Sequence, residues 1–220
     1  DAMTDVPTNT SATQANYPVM NPLSNGGATI SNANLTTTAN GATHYITNST
    51  FQVPTSGKWY WEITTTTLGS TARPGTGLLP NGTALSGYPW GNANTYGWYY
   101  GDASNNIYWC SNTTQPFNIA GAVNDVLQIC YDADNGTVYA GKNNVFYNSS
   151  GSTTGSPSTL TNPTSTGVTA TNAYFPATSV FTAGALAINF GQRPFTYTPP
   201  SGFVALNTYN LSTPTIIQGN

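Results

Sequence analysis

The stretch GKWYWEI, residues 57–63, gives the clearest indication of the fold of this chain. Successive side chains of a β-strand point to opposite faces of the sheet, so every second residue shares a face. One face then carries two tryptophans and an isoleucine, and the other carries two charged residues and a tyrosine. In order, the two sets are Trp59, Trp61, Ile63 and Lys58, Tyr60, Glu62. We therefore predict a core strand whose apolar face enters the interior of a β-protein.

Glu62 is the only glutamate of the chain, and it allows two interpretations. As a catalytic acid it would need a second carboxyl group about 5–10 Å away. One of the six aspartates could supply that group, which makes a glycan hydrolase a remote alternative. As a structural residue it would need a partner if it is covered, and Lys58 or Arg193 is the expected one. We favour the structural role.

Charge is scarce in this sequence. Only 5% of the 220 residues are charged, with a formal net charge of −3, whereas average usage is about 25%. Four basic residues cannot form the stripe that neutralises phosphates, so a nucleic acid is not expected as a partner. No apolar run is long enough to predict membrane insertion. No spacing of ligand residues predicts a metal or a cofactor, and no motif predicts catalytic residues. The remaining surface is neutral and hydrogen-bonding, as in many extracellular and virion-surface proteins.

Short strands separated by turns run through the sequence. Asn-Gly pairs and many further Gly and Pro residues supply the turn signals. No segment has the period of an amphipathic helix. The predicted strands are 28–38, 44–53, 58–66, 95–101, 125–134, 137–142, 173–181 and 185–190. This pattern predicts an all-β fold, an antiparallel β-sandwich of two sheets with long loops.

The organisation of the chain follows from the same pattern. We expect an N-terminal arm over 1–17, a sandwich over 18–206 and a C-terminal arm or linker over 207–220. The polar, low-complexity segment 148–167 predicts a long exposed loop. The clearest hairpin spans 125–143, and its Asn-Gly pair at 135–136 predicts a type I′ turn.

The two cysteines allow two states. Cys110 and Cys130 are too few to form a disulfide framework. They could pair with each other or remain two buried thiols, since both fall in strand context.

Six collinear segments of the chain resemble a SPRY (B30.2-like) domain. That family shows a Gly-x-x-Tyr-Trp-Glu strand, an aromatic strand with an acidic turn, an Asp-Val hairpin, a Tyr/Phe-Pro strand, an Asn-Phe-Gly-Gln-x-Pro-Phe segment and a closing Pro-Pro-x-Gly-Phe. Here they are similar to GKWYWEI (57–63), GWYYGD (97–102), NDVLQICYDADNGTVYAGKNN (124–144), YFPATSVF (174–181), NFGQRPF (189–195) and PPSGFVAL (199–206). The family's hairpin glycines are replaced by Asn124 and Gln128.

The resemblance implies a concanavalin-like jelly roll that recognises partner proteins through loops at one end. It also implies a structural signature, which consists of Trp59, Trp61, Glu62, Asp125, Asp132, Asn189, Phe190, Gly191 and Phe195. The flanks 4–24 and 206–217 are similar to segments bordering SPRY modules in tail and virion-surface proteins of tailed bacteriophages. We therefore expect a non-enzymatic module for protein–protein interaction, assembly or host attachment, located on a virion surface or outside cells. Its expected partners are other virion subunits in a homo-oligomeric assembly, or a host-surface protein or glycan.

The aromatic loop region 68–102 is the expected contact surface. Rigid aromatics mixed with Gly and Asn suit protein or carbohydrate contacts. Tyr88 and Trp90 are expected to be exposed, with Asn92 and Tyr96 beside them as ligand-binding residues. A lectin-like adhesin built on these residues is the main alternative. Trp98 and Tyr100 are assigned to the core of the following strand.

Overall fold

The structure is a computed structural model of the chain and describes residues 11, 14–68, 74–101 and 106–211. The described part consists of β-strands joined by turns and loops, with two short 3₁₀ segments at Pro157–Thr159 and Ala170–Asn172. The strands are β1 (Met20–Asn25), β2 (Thr29–Ser31), β3 (Thr36–Thr38), β4 (Tyr45–Ser49), β5 (Lys58–Thr67), β6 (Gly75–Pro80), β7 (Tyr96–Tyr100), β8 (Asn106–Ser111), β9 (Thr114–Ala120), β10 (Val126–Asp132), β11 (Thr137–Lys142), β12 (Val145–Tyr147), β13 (Tyr174–Val180), β14 (Ala185–Asn189) and β15 (Val204–Ala205).

Two antiparallel sheets form a β-sandwich, as the sequence predicts. Sheet A has the strand order β1-β4-β13-β6-β7-β8-β9, and sheet B the order β12-β11-β10-β5-β14-β3-β2. β15 runs parallel to the start of β5 and pairs with Trp59 and Tyr60, in the space beyond the end of β14. GKWYWEI thus supplies the central strand of sheet B.

The main core lies between the two sheets. Trp59, Trp61 and Ile63 enter it from β5, as the alternation predicts, and Trp98 and Tyr100 enter it from β7. Each of these side chains is at most 3% exposed. Burying aromatic side chains of this size is the largest favourable contribution to such a fold, since each removes about 150–250 Å² from water.

A smaller apolar cluster covers the outer face of each sheet. On sheet B, Tyr60, Cys130, Tyr139 and Phe203 form one cluster. On sheet A, a second cluster includes Trp90, Tyr99 and Cys110. The two cysteines are therefore free and buried in separate clusters, which decides between the two states that the sequence allows.

Two predicted elements differ from the observed ones. The predicted strand 28–38 is a hairpin, because Asn32, Ala33 and Asn34 all adopt positive φ and turn the chain between β2 and β3. The predicted type I′ turn at 135–136 is also wrong. A four-residue loop joins β10 and β11, and positive φ occurs at Gly136 but not at Asn135. Asp132 determines this loop by accepting hydrogen bonds from the backbone and side-chain nitrogens of Asn135, at 3.1 and 2.8 Å.

The predicted arms meet each other in the part of the chain that is described. The backbone nitrogen of Asn16 donates to Thr208 Oγ1 at 2.9 Å, and the backbone nitrogen of Thr208 donates to the carbonyl of Asn16 at 3.0 Å. The outer parts of both arms, 1–10, 12–13 and 212–220, lie outside the described residues. None of the helical segments that the structure describes has the length and hydropathy needed to cross a bilayer.

Candidate binding surface

The aromatic loop 81–95 covers sheet A instead of facing solvent. Trp90 is only 1% exposed, so the expectation that it is exposed is wrong. Its ring lies against Gly75 and Gly97, where a β-carbon would come within 2.2 and 2.6 Å of indole atoms. These two glycines leave a notch in the outer face of sheet A, and the indole fills it. Tyr96 is 3% exposed and belongs to the main core.

Tyr88 is half-buried beside Trp90 and packs against other rings. It makes edge-to-face contacts with Tyr99 and His44, each with ring centroids 5.3 Å apart. Burial raises the pKa of the Tyr88 hydroxyl well above its usual value. His44 is itself 9% exposed, and its Nδ1 lies 3.1 Å from the hydroxyl of Ser179. These contacts assign the aromatics of the loop to packing.

Asn92 is the one predicted ligand residue that the structure leaves exposed. Its amide nitrogen donates to the carbonyls of Tyr88 and Pro89, at 3.2 and 3.0 Å, so the side chain holds the loop. Two residues further on, the backbone nitrogen of Asn94 donates to Oδ1 of Asn112 at 2.7 Å. This bond joins loop 81–95 to the turn between β8 and β9.

The low-complexity loop 148–167 is ordered by hydrogen bonds to the sandwich. Thr164, 1% exposed, receives a hydrogen bond from the backbone nitrogen of Ala140 at 2.8 Å and donates to the carbonyl of Tyr147. Ser165, 3% exposed, pairs through its backbone with Val138. The prediction of an exposed loop therefore holds for many of its residues but not for these two anchors.

A polar cleft lies where loop 148–167 meets the end of β8. Its volume is about 330 Å³, and its lining carries hydroxyl and amide groups without an ionisable side chain. The lining residues are Ser111, Asn148, Ser149, Asn162, Pro163, Thr164, Ser165 and Thr166. The cleft continues along the chain into the turn at Asn112, so three loops form one neutral surface at this end of the sandwich. We call this surface the loop face; it comprises 91–95, 111–114, 148–149 and 162–166.

The ionisable groups near β5 and β10 lie elsewhere and have structural contacts. Lys58 pairs with Asp134 at 3.2 Å and with Asp132 at 3.6 Å. The hydrogen bond that Lys58 donates to the Asp134 carboxylate raises the pKa of Lys58. Lys142 pairs with Asp125 at 3.5 Å, at the other end of β10. Both signature aspartates therefore hold ends of the β10–β11 hairpin.

Glu62 is a buried hydrogen-bond acceptor, and the cationic partner predicted for it is wrong. Its carboxylate receives hydrogen bonds from the hydroxyl of Tyr60 at 2.8 Å and from the backbone nitrogens of Thr196 and Tyr197, at 2.7 and 2.8 Å. Lys58 points instead to the hairpin loop, because β5 and β10 pair Lys58 with Asp132. Glu62 is 2% exposed, so a hydrolase built on it would lack access to substrate.

The segment that follows β14 uses three further signature residues. Asn189 receives a hydrogen bond from the backbone nitrogen of Gly191 at 2.9 Å and donates to the carbonyl of Pro194 at 3.1 Å. Gly191 has φ of 107°, a conformation that favours glycine. Phe190 enters the main core, whereas Phe195 packs edge-to-face on Tyr60 outside sheet B. Phe195 therefore belongs to the smaller cluster on sheet B and not to the main core. Arg193 is exposed.

Neither the cysteines nor the acidic residues form a reactive centre in the described residues. Burial raises the pKa of the Cys110 thiol to about 12 and that of the Cys130 thiol well above its usual value. Such thiols are inert at neutral pH, since the thiolate is the reactive form. Among the residues whose positions are described, no group of three or more His, Cys, Asp or Glu side chains is placed to hold a metal ion.

Comparison with solved structures identifies the architecture. The chain is similar to the crystal structure of the SPRY domain of human HERC1, with a TM-score of 0.57 over 80% of this chain and 99% of that one. The fold is SPRY-like. The sequences are 15% identical, so this likeness establishes the SPRY-like β-sandwich and nothing finer. No protein-family model matches the chain, and no curated protein matches it by sequence.

Sequence reasoning missed the residues that line the cleft. β8 and β9 are absent from the predicted strands, so Ser111 could not be placed at a strand end. Loop 148–167 was expected to be exposed and carried no expected role. The available signal was chemical: a long segment of hydroxyl and amide side chains without any charge.

Proposed function

We propose that this chain is a non-enzymatic interaction module of a bacteriophage virion-surface protein. The loop face carries the proposal, since it presents short hydrogen-bonding side chains on a rigid sandwich. SPRY-like folds generally serve as protein-interaction modules, and loops on a fixed scaffold are a usual place for recognition. We expect other virion subunits to be its main partners, in assembly or in host attachment.

Surface chemistry supports a role in a crowded extracellular assembly. With 5% charged residues, solubility depends on Asn, Thr, Ser and Gly. A neutral surface avoids non-specific binding to nucleic acid and to charged membranes. The similarity of the flanks to phage segments agrees with this setting, and one described residue of each flank, Asn16 and Thr208, contacts the other.

Labelling of intact particles tests the location. An antibody raised against the module should label the surface of purified virions in immunogold electron microscopy, at regular positions. An antibody against an internal virion protein is the control and should not label intact particles. Recovery of the module in the soluble fraction, with unlabelled virions, would contradict the proposed location.

Charge insertion tests the surface. Thr113→Arg with Thr166→Arg adds two cations at exposed sites of the loop face, and Thr198→Arg adds one at an exposed site in a separate groove. We expect the first variant to fold but to lose incorporation into particles, because desolvating unpaired charges opposes docking. Equal incorporation of both variants would show that the loop face makes no contact.

A further inference from the structure

The cleft of the loop face contains a directional chain of hydrogen bonds. The indole nitrogen of Trp109 donates to Ser165 Oγ at 2.9 Å, and Ser165 Oγ donates to Ser111 Oγ at 2.7 Å. An indole N–H only donates, and a serine hydroxyl carries one proton. Trp109 therefore directs the Ser165 hydrogen toward Ser111. The Ser111 oxygen accepts that bond, and its own hydrogen is left for a group in the cleft.

Asn162 also lines the cleft and supplies the complementary group. Its amide nitrogen donates to the carbonyl of Thr154 at 3.1 Å, which holds the side chain, and its Oδ1 is an acceptor. Ser149 and Thr166 are exposed and add two hydroxyls, each able to donate and to accept. The cleft thus combines hydrogen-bonding groups that other bonds hold in place with groups that can adjust.

Asn148 stabilises the conformation of its own loop, and its side chain is not among the groups available to a ligand. Its Oδ1 accepts hydrogen bonds from the backbone nitrogens of Ser150 and Ser152, at 2.9 and 3.0 Å. Its amide nitrogen donates to Thr154 Oγ1 at 2.9 Å. Because these bonds exist before any ligand arrives, little ordering is needed on binding, which favours affinity.

The lining chemistry selects the class of ligand. A charged ligand would find no counter-ion there, since the lining carries no ionisable side chain. A peptide anchored by apolar side chains would find only Pro163 as an apolar ring. A sugar presents neighbouring hydroxyls that donate and accept, which matches a lining made of hydroxyl and amide groups. The volume, about 330 Å³, lies at the small end of ligand pockets, which span about 300–1,000 Å³.

We propose that this cleft binds a neutral saccharide, with Ser111 as donor, Asn162 as acceptor, and Ser149 and Thr166 as adaptable partners. The proposal rests on the proposed function and names the ligand of the same face. Binding of one unit is weak, because few hydrogen bonds form and no aromatic platform lines the cleft. Repetition of the module in an assembly raises the avidity.

Titration of the whole chain with defined sugars, followed by ¹H–¹⁵N NMR, tests the proposal. The probes are the methyl glycosides of glucose, galactose, mannose and N-acetylglucosamine, and a neutral tetrapeptide of asparagine and alanine is the competing class. We expect at least one glycoside to shift the resonances of Ser111, Asn162 and Thr166. The variants Ser111→Ala and Thr166→Ala should each weaken its binding by about three- to tenfold, which is the loss of one hydrogen bond.

Thr198→Ala is the matched control, since it removes an exposed threonine hydroxyl from a separate groove. It should leave sugar binding unchanged, and thermal unfolding should show all three variants folded. Absence of shifts with all four glycosides, stronger binding of the tetrapeptide, or equal loss with Thr198→Ala would each overturn the proposal. None of these outcomes bears on virion labelling, so the two proposals fail separately.

Discussion

Two loops of this protein, 81–95 and 148–167, have roles opposite to those that their compositions indicate, since the aromatic loop packs and the polar loop lines a cleft. Loop 81–95 contains aromatic residues and packs them onto sheet A, with Trp90 seated on Gly75 and Gly97. Loop 148–167 is almost wholly Ser, Thr, Gly, Asn and Pro, yet it contributes most of the cleft. The aromatic loop covers the outer face of sheet A, and the polar loop forms most of a cleft that a ligand can enter.

The difference has a physical cause in the cost of leaving each side chain in water. An exposed indole loses the favourable burial of a large apolar surface, so a loop with tryptophan folds back whenever the sheet offers a notch. Hydroxyl and amide groups lose little in water, and a loop built from them is held by a few buried anchors such as Thr164 and Ser165. Aromatic composition therefore does not by itself identify a binding loop, because the same residues favour packing onto a sheet.

Removing the Trp90 side chain should have the largest effect on stability. Trp90→Ala leaves a large void over sheet A and should lower the free energy of unfolding by about 3–5 kcal/mol. Chemical denaturation of both proteins measures the change. The indole nitrogen of Trp90 has no hydrogen-bond partner among the described residues, so Trp90→Phe should cost clearly less. If Trp90→Ala unfolds like the wild type, the loop is not a packed cover.

The glycine notch gives the next effect. Gly75→Ala would place its β-carbon 2.2 Å from the Trp90 indole nitrogen, so the ring must move, at a cost of about 2–3 kcal/mol. In the Trp90→Ala background the same methyl group meets a void, and its cost should disappear. A double-mutant cycle measures this coupling. Additive costs would show that Trp90 does not occupy the notch.

A smaller effect is expected at the anchor of the polar loop. Ser165→Ala removes the acceptor of the buried Trp109 indole N–H and should cost about 1–2 kcal/mol. Ser149→Ala, an exposed serine of the same loop, is the control and should change stability by less than about 0.5 kcal/mol. Equal effects of the two variants would mean that the loop is not anchored through Ser165.

The smallest effect concerns pH. The backbone N–H of Gly57 and then Lys58 lower the pKa of Asp134 below its usual 3.8. The Asp134–Lys58 pair therefore makes its full contribution to stability above pH 3.8 and loses it as the pH falls through the lowered pKa. That contribution is less than about 1 kcal/mol, because the pair is exposed. Acid unfolding of Asp134→Asn should lack this component.

The cleft has no ionisable lining, so we expect its sugar binding to stay constant between about pH 5 and 8.

Much of the fold could be read from the sequence because its signals are local. The alternation in β5 predicts its two faces, and the predicted strand 137–142 coincides with β11. β6 was harder to recognise, since Gly75 and Gly77 weaken its strand pattern, although it is buried at the centre of sheet A. Packing explains its glycines: a β-carbon on Gly77 would come within 2.1 Å of the Tyr96 carbonyl oxygen.

The candidate surface could be predicted far less well, because it depends on distant parts of the chain. Ser111, Trp109 and Ser165 are brought together by a contact across more than fifty residues. Nothing in the local pattern of any of them indicates the others. The same holds for Glu62, whose partners are backbone groups of Thr196 and Tyr197 instead of a side chain.

From the sequence alone follow the all-β class, the core strand GKWYWEI with its two faces, and the near absence of charge that argues against a nucleic-acid partner. These properties depend on side-chain type and on a period of two residues, so they are present in the linear chain. Tertiary structure alone decided which aromatics are covered, what satisfies Glu62 and where a cleft opens. Those outcomes depend on which surfaces meet, and in a β-sandwich the meeting surfaces come from strands far apart in sequence.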